Sequence, residues 1–334
     1  VYKLIKEEVP LENLSRFLDD LVEYSSAYAI IASKNDDTDI EYFDIKRNYQ
    51  VRSLLAAIEV LYKREMITED DCKTCFHNLR NFFFLFHSCS YTSNKTDKAI
   101  ANAAFDVYHI KSEMDFKYVI SDVFRELSKF ISSSTVDELM FTTSSMHYSL
   151  KNSAYKSNHR IVKYILYCLY MPDQRDTVLD QSRLTIEHLL NDDGSVRNSS
   201  IYNLTLTSGE INSNELKNRG LVEKIGILKS QSSVIANQKL DEYLDAQGEY
   251  LEDKRKNDLK EQAISNVFKY EGSPFGYTKE MVDGYLKMKR ALQSDEELLA
   301  VLLERGMNIQ AYLSNNPAMQ DAYNRFLTLC GTTS

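Results

Sequence analysis

Not one glycine occurs in the first 193 residues; all ten lie at or after Gly194. Tight hairpins rely on residues that accept positive φ, glycine above all. A glycine-free stretch of that length, interrupted only by Pro10 and Pro172, therefore predicts helices. Apolar spacing agrees with a 3.6-residue period. Leu14, Phe17, Leu18 and Leu21 mark a helix over Leu11–Ala32, and Leu54, Leu55, Ile58 and Leu61 mark another over Tyr49–Glu65. Thr68 with Asp71 three residues on reads as an N-cap opening a helix toward Phe86. Further helices are expected at Thr96–Tyr108 (its alanines and Phe105 packing inward), Met114–Ile131, Val136–Thr143, His159–Tyr170 and Leu240–Tyr270. Thr278–Cys330 reads as three amphipathic helices with leucines at Leu298, Leu299, Leu302 and Leu303.

The pattern changes at residue 184. Leu184-Thr185-Ile186 is a short β-prone run that delivers an acid and a histidine side by side, Glu187-His188. Asn191-Asp192-Asp193-Gly194 is turn chemistry. A second β-prone run, Ile201 to Thr207, carries Asn203. Ser208-Gly209 turns the chain, and a helical run through Lys224 follows with Asn212 or Ser213 as N-cap. A lone Glu-His pair is ordinarily surface decoration, and an Asn near a turn is ordinarily a turn residue. The ordered set on strand, loop, strand and helix is far more specific than either.

This arrangement resembles the ββα-metal (HNH) nuclease fold, and is most similar to the C-terminal nuclease domain of the GmrSD family of modification-dependent restriction and phage-defence proteins. The matching residues are Ile186-Glu187-His188-Leu189-Leu190, Asn203-Leu204-Thr205-Leu206, Ser208-Gly209, Asn212-Ser213 and Lys224. Asn191 stands where the family has proline and Tyr202 where it has glycine, departures that alter loop geometry rather than chemistry. Thr68–Tyr170 looks like the family's helical connector, and the Arg255, Leu259, Ala263, Phe268 spacing like the closing helix of its nuclease domain. The D-G-Q-Q-R type motif of the family's nucleotide-handling domain is absent from this sequence, so that activity does not carry over. The chain opens on Val1, and the resemblance implies an upstream nucleotide-handling domain or subunit.

Periodicity and the resemblance together give a mainly α protein: a helical connector domain over 1–170, an HNH-like nuclease domain over 171–271 and, after the breaker Gly272-Ser273-Pro274, a C-terminal helical cap over 272–334. The resemblance carries the function. It implies a metal-dependent DNA endonuclease of restriction or anti-phage defence acting on foreign or modified DNA. His188 would be the general base, near neutral in its ordinary titration range. Glu187 and the side-chain oxygen of Asn212 would hold Mg²⁺ or Mn²⁺, hard cations that take few protein oxygens. Asn203 would hold His188 in one orientation. Adjacent strand residues face opposite ways, so Glu187 and His188 can serve one centre only where the strand ends or bends. Two rival readings are a catalytically weak nuclease-like module that binds DNA or docks a partner, and an RNase.

Charge decides how DNA would be met. The net charge of −9 is unlike the basic footprint of most DNA-binding proteins. It is unevenly spread: Ser145–Ser230 holds eleven Lys and Arg against nine Asp and Glu, leaving −11 for the remainder. Arg183, Lys217, Arg219 and Lys224 flank the proposed centre as candidate phosphate contacts. Five cysteines, an odd number, fit a reducing, cytoplasmic compartment. Apolar runs such as Phe82–Phe86 are far too short to span a bilayer. Cys72, Cys75, His87 and Cys89 have zinc-ligand types, but one continuous helix would separate them by about 15 Å, and buried thiols are the commoner reading. Nothing in the sequence sets the oligomeric state.

Overall fold

The computed structural model describes residues 9–34, 37–174, 179–217 and 219–291. Among these the chain is mainly helical, with a single two-stranded antiparallel sheet. The helices are α1 (Leu14–Ser33), α2 (Thr38–Lys46), α3 (Val51–Lys63), α4 (Glu69–Ser88), α5 (Asp97–Tyr108), α6 (Glu113–Ser128), α7 (Ser133–Leu139) and α8 (His159–Tyr170). Strands β1 (Leu184–His188) and β2 (Leu204–Ser208) follow. Then come α9, whose first turn Gly209–Ile211 passes into a wider π turn Asn212–Leu216, and α10 (Leu221–Gln231). After a 3-10 segment, Ile235–Tyr243, the chain ends its described part in α11 (Glu252–Gln262, continued by the π turn Ala263–Val267) and α12 (Lys279–Ala291).

The helices form where the period puts them. Thr68 and Asp71 make the reciprocal capping box that opens α4. α4 then runs unbroken to Ser88 and buries Phe82, Phe83, Phe84 and Phe86 completely. Burial pushes the Cys72 thiol up to about 12 and the Cys75 thiol well above its ordinary value, so both act as apolar core groups. α2 lacks long-range apolar spacing, yet Asp37 caps it through the amides of Asp39 and Ile40, and it buries Ile40, Tyr42 and Phe43.

Three expectations change. Phe105 points out of α5 at 65% exposure while Ala103 and Ala104 are buried, because the inward stripe of this helix is Ile100, Ala103, Ala104 and Val107. The single helix expected from Asn212 to Lys224 starts earlier and is two: Ser208 caps α9 through the amide of Ile211, and exposed Lys217 and Arg219 separate α9 from α10. The helix expected over Leu240–Tyr270 is interrupted by a hairpin-like turn at Gly248, φ +77°, where Leu244 bridges Tyr250. The leucines at 298–303 lie outside the described residues.

One continuous core runs from Ile31 to Phe268 across the boundary expected near residue 170. Phe84 of α4 stacks on Phe268 beyond α11, ring centroids 3.7 Å apart and 12° from parallel. α8 packs on both strands. Arg255 of α11, buried, donates to the carbonyls of Tyr202 (2.9 Å) and Leu204 (3.0 Å) and to the Tyr170 hydroxyl (3.0 Å). With Leu259, Ala263 and Phe268 it forms the buried side of that segment. These contacts fix where the small sheet sits on the helical body. A second, smaller core of Leu189, Leu216, Ile225, Leu228 and Leu240 seats α9 and α10 against the end of β1.

Candidate functional site

β1 pairs with β2 in the register Leu184↔Ser208 to His188↔Leu204, so Glu187 lies opposite Thr205. The pairing continues past the strand: the Leu189 amide donates to the Asn203 carbonyl at 2.9 Å. Alternation sends Thr185 and Glu187 to one face and Ile186 and His188 to the other. β1 ends at His188, so the two candidate groups leave from its last two positions on opposite faces.

On the Glu187 face stands Asn212. Its side-chain nitrogen donates to the Ile186 carbonyl (3.0 Å) and the Thr185 hydroxyl (3.2 Å), which leaves its carbonyl oxygen as the atom available to a ligand. Glu187 itself is nearly buried, and its Oε1 accepts from Lys224 Nζ at 2.5 Å. The same ammonium donates to the His188 carbonyl at 2.6 Å. Lys224 is 3% exposed, so of the four candidate phosphate contacts it alone is turned inward. Arg183 extends into solvent beside Asp180, and Lys217 and Arg219 are exposed, the latter 3.3 Å from Glu223.

On the other face, His188 Nε2 lies 3.0 Å from the Tyr148 carbonyl. A carbonyl can only accept, so Nε2 carries a proton, and in the neutral form of the ring Nδ1 is the nitrogen that keeps its lone pair. The Tyr148 ring stacks on the imidazole, 5.9 Å between centroids, and the Tyr148 amide donates to the Ser199 carbonyl at 2.7 Å. The carbonyl of Tyr148, rather than Asn203, thus sets the His188 ring. Asn203 does a different job. Its oxygen accepts from the Leu190 amide (2.8 Å), and its nitrogen donates to the carbonyls of Leu190 (2.8 Å) and Asn198 (2.7 Å), closing the loop that follows His188.

Asp192 completes the frame. It accepts from the Ser149 hydroxyl (2.7 Å) and from the amides of Leu150 (2.9 Å) and Gly194 (3.0 Å), tying the Tyr148 segment to the hairpin loop. Tyr148, Ser149 and Asp192 were not among the sequence candidates. Asp192 shows in the sequence only as turn chemistry, and its partners Ser149 and Leu150 lie more than forty residues away. Burial pushes the Asp192 carboxyl up, but the donors from Ser149, Gly194 and Leu150 and the nearby His188 outweigh it and hold the group below its ordinary 3.8. A depressed folded value contributes stability above the ordinary value, lost as pH falls through the folded one. Asp192→Asn is therefore expected to unfold at lower urea than the native chain at pH 7. That gap should close as the pH is taken well below 3.8; a gap independent of pH would assign the effect to packing alone.

The donor set suits a hard divalent cation. A carboxylate and an amide oxygen share one face, and the Glu187 carboxylate already meets a cation, the Lys224 ammonium. Among the described residues no three His, Cys, Asp or Glu side chains converge on one point. A Mg²⁺-type ion needs only one or two carboxylates and keeps several waters. Also among the described residues, no helix is long and apolar enough to cross a membrane. Compared with family models, with curated proteins and with solved structures, the chain finds no match.

Proposed function

We propose that the chain is a metal-dependent HNH-type DNA endonuclease with its centre at the end of β1, acting in restriction or anti-phage defence on foreign or modified DNA in the cytoplasm. The observation that carries this reading is the hydrogen bond from His188 Nε2 to the Tyr148 carbonyl, which leaves Nδ1 as the ring nitrogen open to a proton at the end of β1, one residue after Glu187. A neutral imidazole held in one tautomer suits proton removal from water near neutral pH.

In this reading the scissile phosphodiester lies across the end of β1. His188 Nδ1 accepts a proton from the attacking water, and Tyr148 keeps the ring from turning. Glu187 and Asn212 hold Mg²⁺ or Mn²⁺, which when bound stabilises charge on the leaving oxygen. Asn203 and Asp192 keep the loop after His188 in place, so the base does not move when its charge changes. Exposed Arg183, Lys217 and Arg219 meet flanking phosphates, a local basic rim on an acidic chain.

The test is cleavage of supercoiled plasmid with Mg²⁺ or Mn²⁺, alongside a matched RNA. Relaxed or linear DNA that disappears with chelator is the expected result, and the relaxed-to-linear ratio reports nicking against double-strand cutting. Cleavage confined to the RNA would replace the DNA reading with an RNase. Tight DNA binding with no cutting of plain or modified substrate would favour the docking module.

A further inference from the structure

Lys224 sits where its own helix gains nothing from it. It is the fourth residue of α10, whose N-terminus lies at Gly220–Leu221, and a cation in a first helical turn opposes the helix dipole. It is also buried, which a charged ammonium tolerates only with close partners. Those partners are a carboxylate oxygen of Glu187 at 2.5 Å and the main-chain carbonyl of His188 at 2.6 Å. Both are hard oxygens of the type that ligate Mg²⁺.

We propose that the Lys224 ammonium is a resident stand-in for the divalent cation, occupying a seat built from the Glu187 carboxylate and the His188 carbonyl, and that metal enters by exchange with it. This rests on the nuclease reading above. The ammonium neutralises Glu187 while no metal is held, so the site does not carry a bare buried carboxylate. Lysine suits the exchange because its charge is compact and its four-carbon stem flexible. The exposed connection at Lys217 and Arg219 leads into the start of α10, the helix that carries Lys224. An incoming phosphate offers the displaced ammonium a new anion. Metal and substrate would then bind cooperatively, each relieving what the other displaces.

The experiment is Mn²⁺ titration of the full chain by calorimetry and electron paramagnetic resonance, without DNA, so that no cleavage activity is read. Lys224→Met and Lys224→Gln are compared with the native chain; the second keeps a hydrogen-bond donor for Glu187 and guards against misfolding of the first. Both are expected to bind Mn²⁺ at least about tenfold more tightly than the native chain, a difference of about 1.4 kcal/mol. Adding Glu187→Gln to either should abolish the gain. Native binding that is unchanged or weakened in both variants would overturn the exchange and leave the nuclease reading standing. Absence of Mn²⁺ binding in all three proteins would overturn both.

Discussion

Replacing His188 by alanine is expected to lower metal-dependent plasmid cleavage by roughly 10²–10⁴-fold, the span that a positioned general base contributes. The argument is geometric. Nε2 is committed to the Tyr148 carbonyl, so Nδ1 is the one ring nitrogen left to take a proton. Mn²⁺ affinity should stay within a few-fold of native, because the proposed ligands are Glu187, Asn212 and a main-chain oxygen, none of which the substitution removes. The imidazole also stacks on Tyr148, so the comparison is made with His188→Gln beside it and with urea midpoints for both. Cleavage that survives in both variants would move the base elsewhere. Loss of cleavage together with loss of Mn²⁺ binding would mean that the histidine serves the metal rather than the water.

The largest expected effect on stability comes from Phe84→Ala. The ring is fully buried in α4, stacked on Phe268 and edge-on to Tyr42 at 6.4 Å. Phe-to-Ala truncation in a packed core removes transfer free energy and leaves a cavity, costing about 3–5 kcal/mol. The urea midpoint should fall accordingly with little change in slope. Phe268 follows α11, which carries Arg255, and Arg255 holds the carbonyls of Tyr202 and Leu204 at the start of β2. The cavity therefore opens beneath the element that positions the sheet, and protease cutting in the 189–203 loop should rise with it. A loss within about 0.5 kcal/mol, the range of an ordinary surface substitution, would mean that the two halves of the chain do not share the core seen here.

That shared core is one thing the sequence did not disclose. Helices α3, α4, α5 and α8 were legible because each is amphipathic or fully apolar at period 3.6, and α4 and α6 carry side-chain caps. These are local properties, decided within a few residues. β1 and β2 were legible for the same reason, as were the turn residues between them. Phe105 and the 240–270 segment were misread where a local rule met a tertiary one. Alanines beside Phe105 form the stripe that meets the other helices, and Gly248 takes a positive φ that no periodicity announces.

At the candidate site the division is sharper. Glu187, His188, Asn203 and Asn212 stand out in the sequence by residue type and order, because they sit within 26 residues of one another. Their partners do not. Tyr148 reaches His188 across 40 positions, Ser149 reaches Asp192 across 43, Lys224 reaches Glu187 across 37 and Arg255 reaches Leu204 across 51. A hydrogen bond at that separation leaves no spacing signal, since the loop that closes it can have almost any composition and its closure entropy grows only slowly with length. By itself, then, the sequence determined a helical chain with a strand, loop, strand and helix unit and the residue types it carries. Only the tertiary structure decided that Tyr148 sets the histidine, that Asn203 closes a loop instead, and that Lys224 turns inward to Glu187. Those choices follow from which surfaces bury together, and burial is a property of the whole packed chain rather than of any stretch within it.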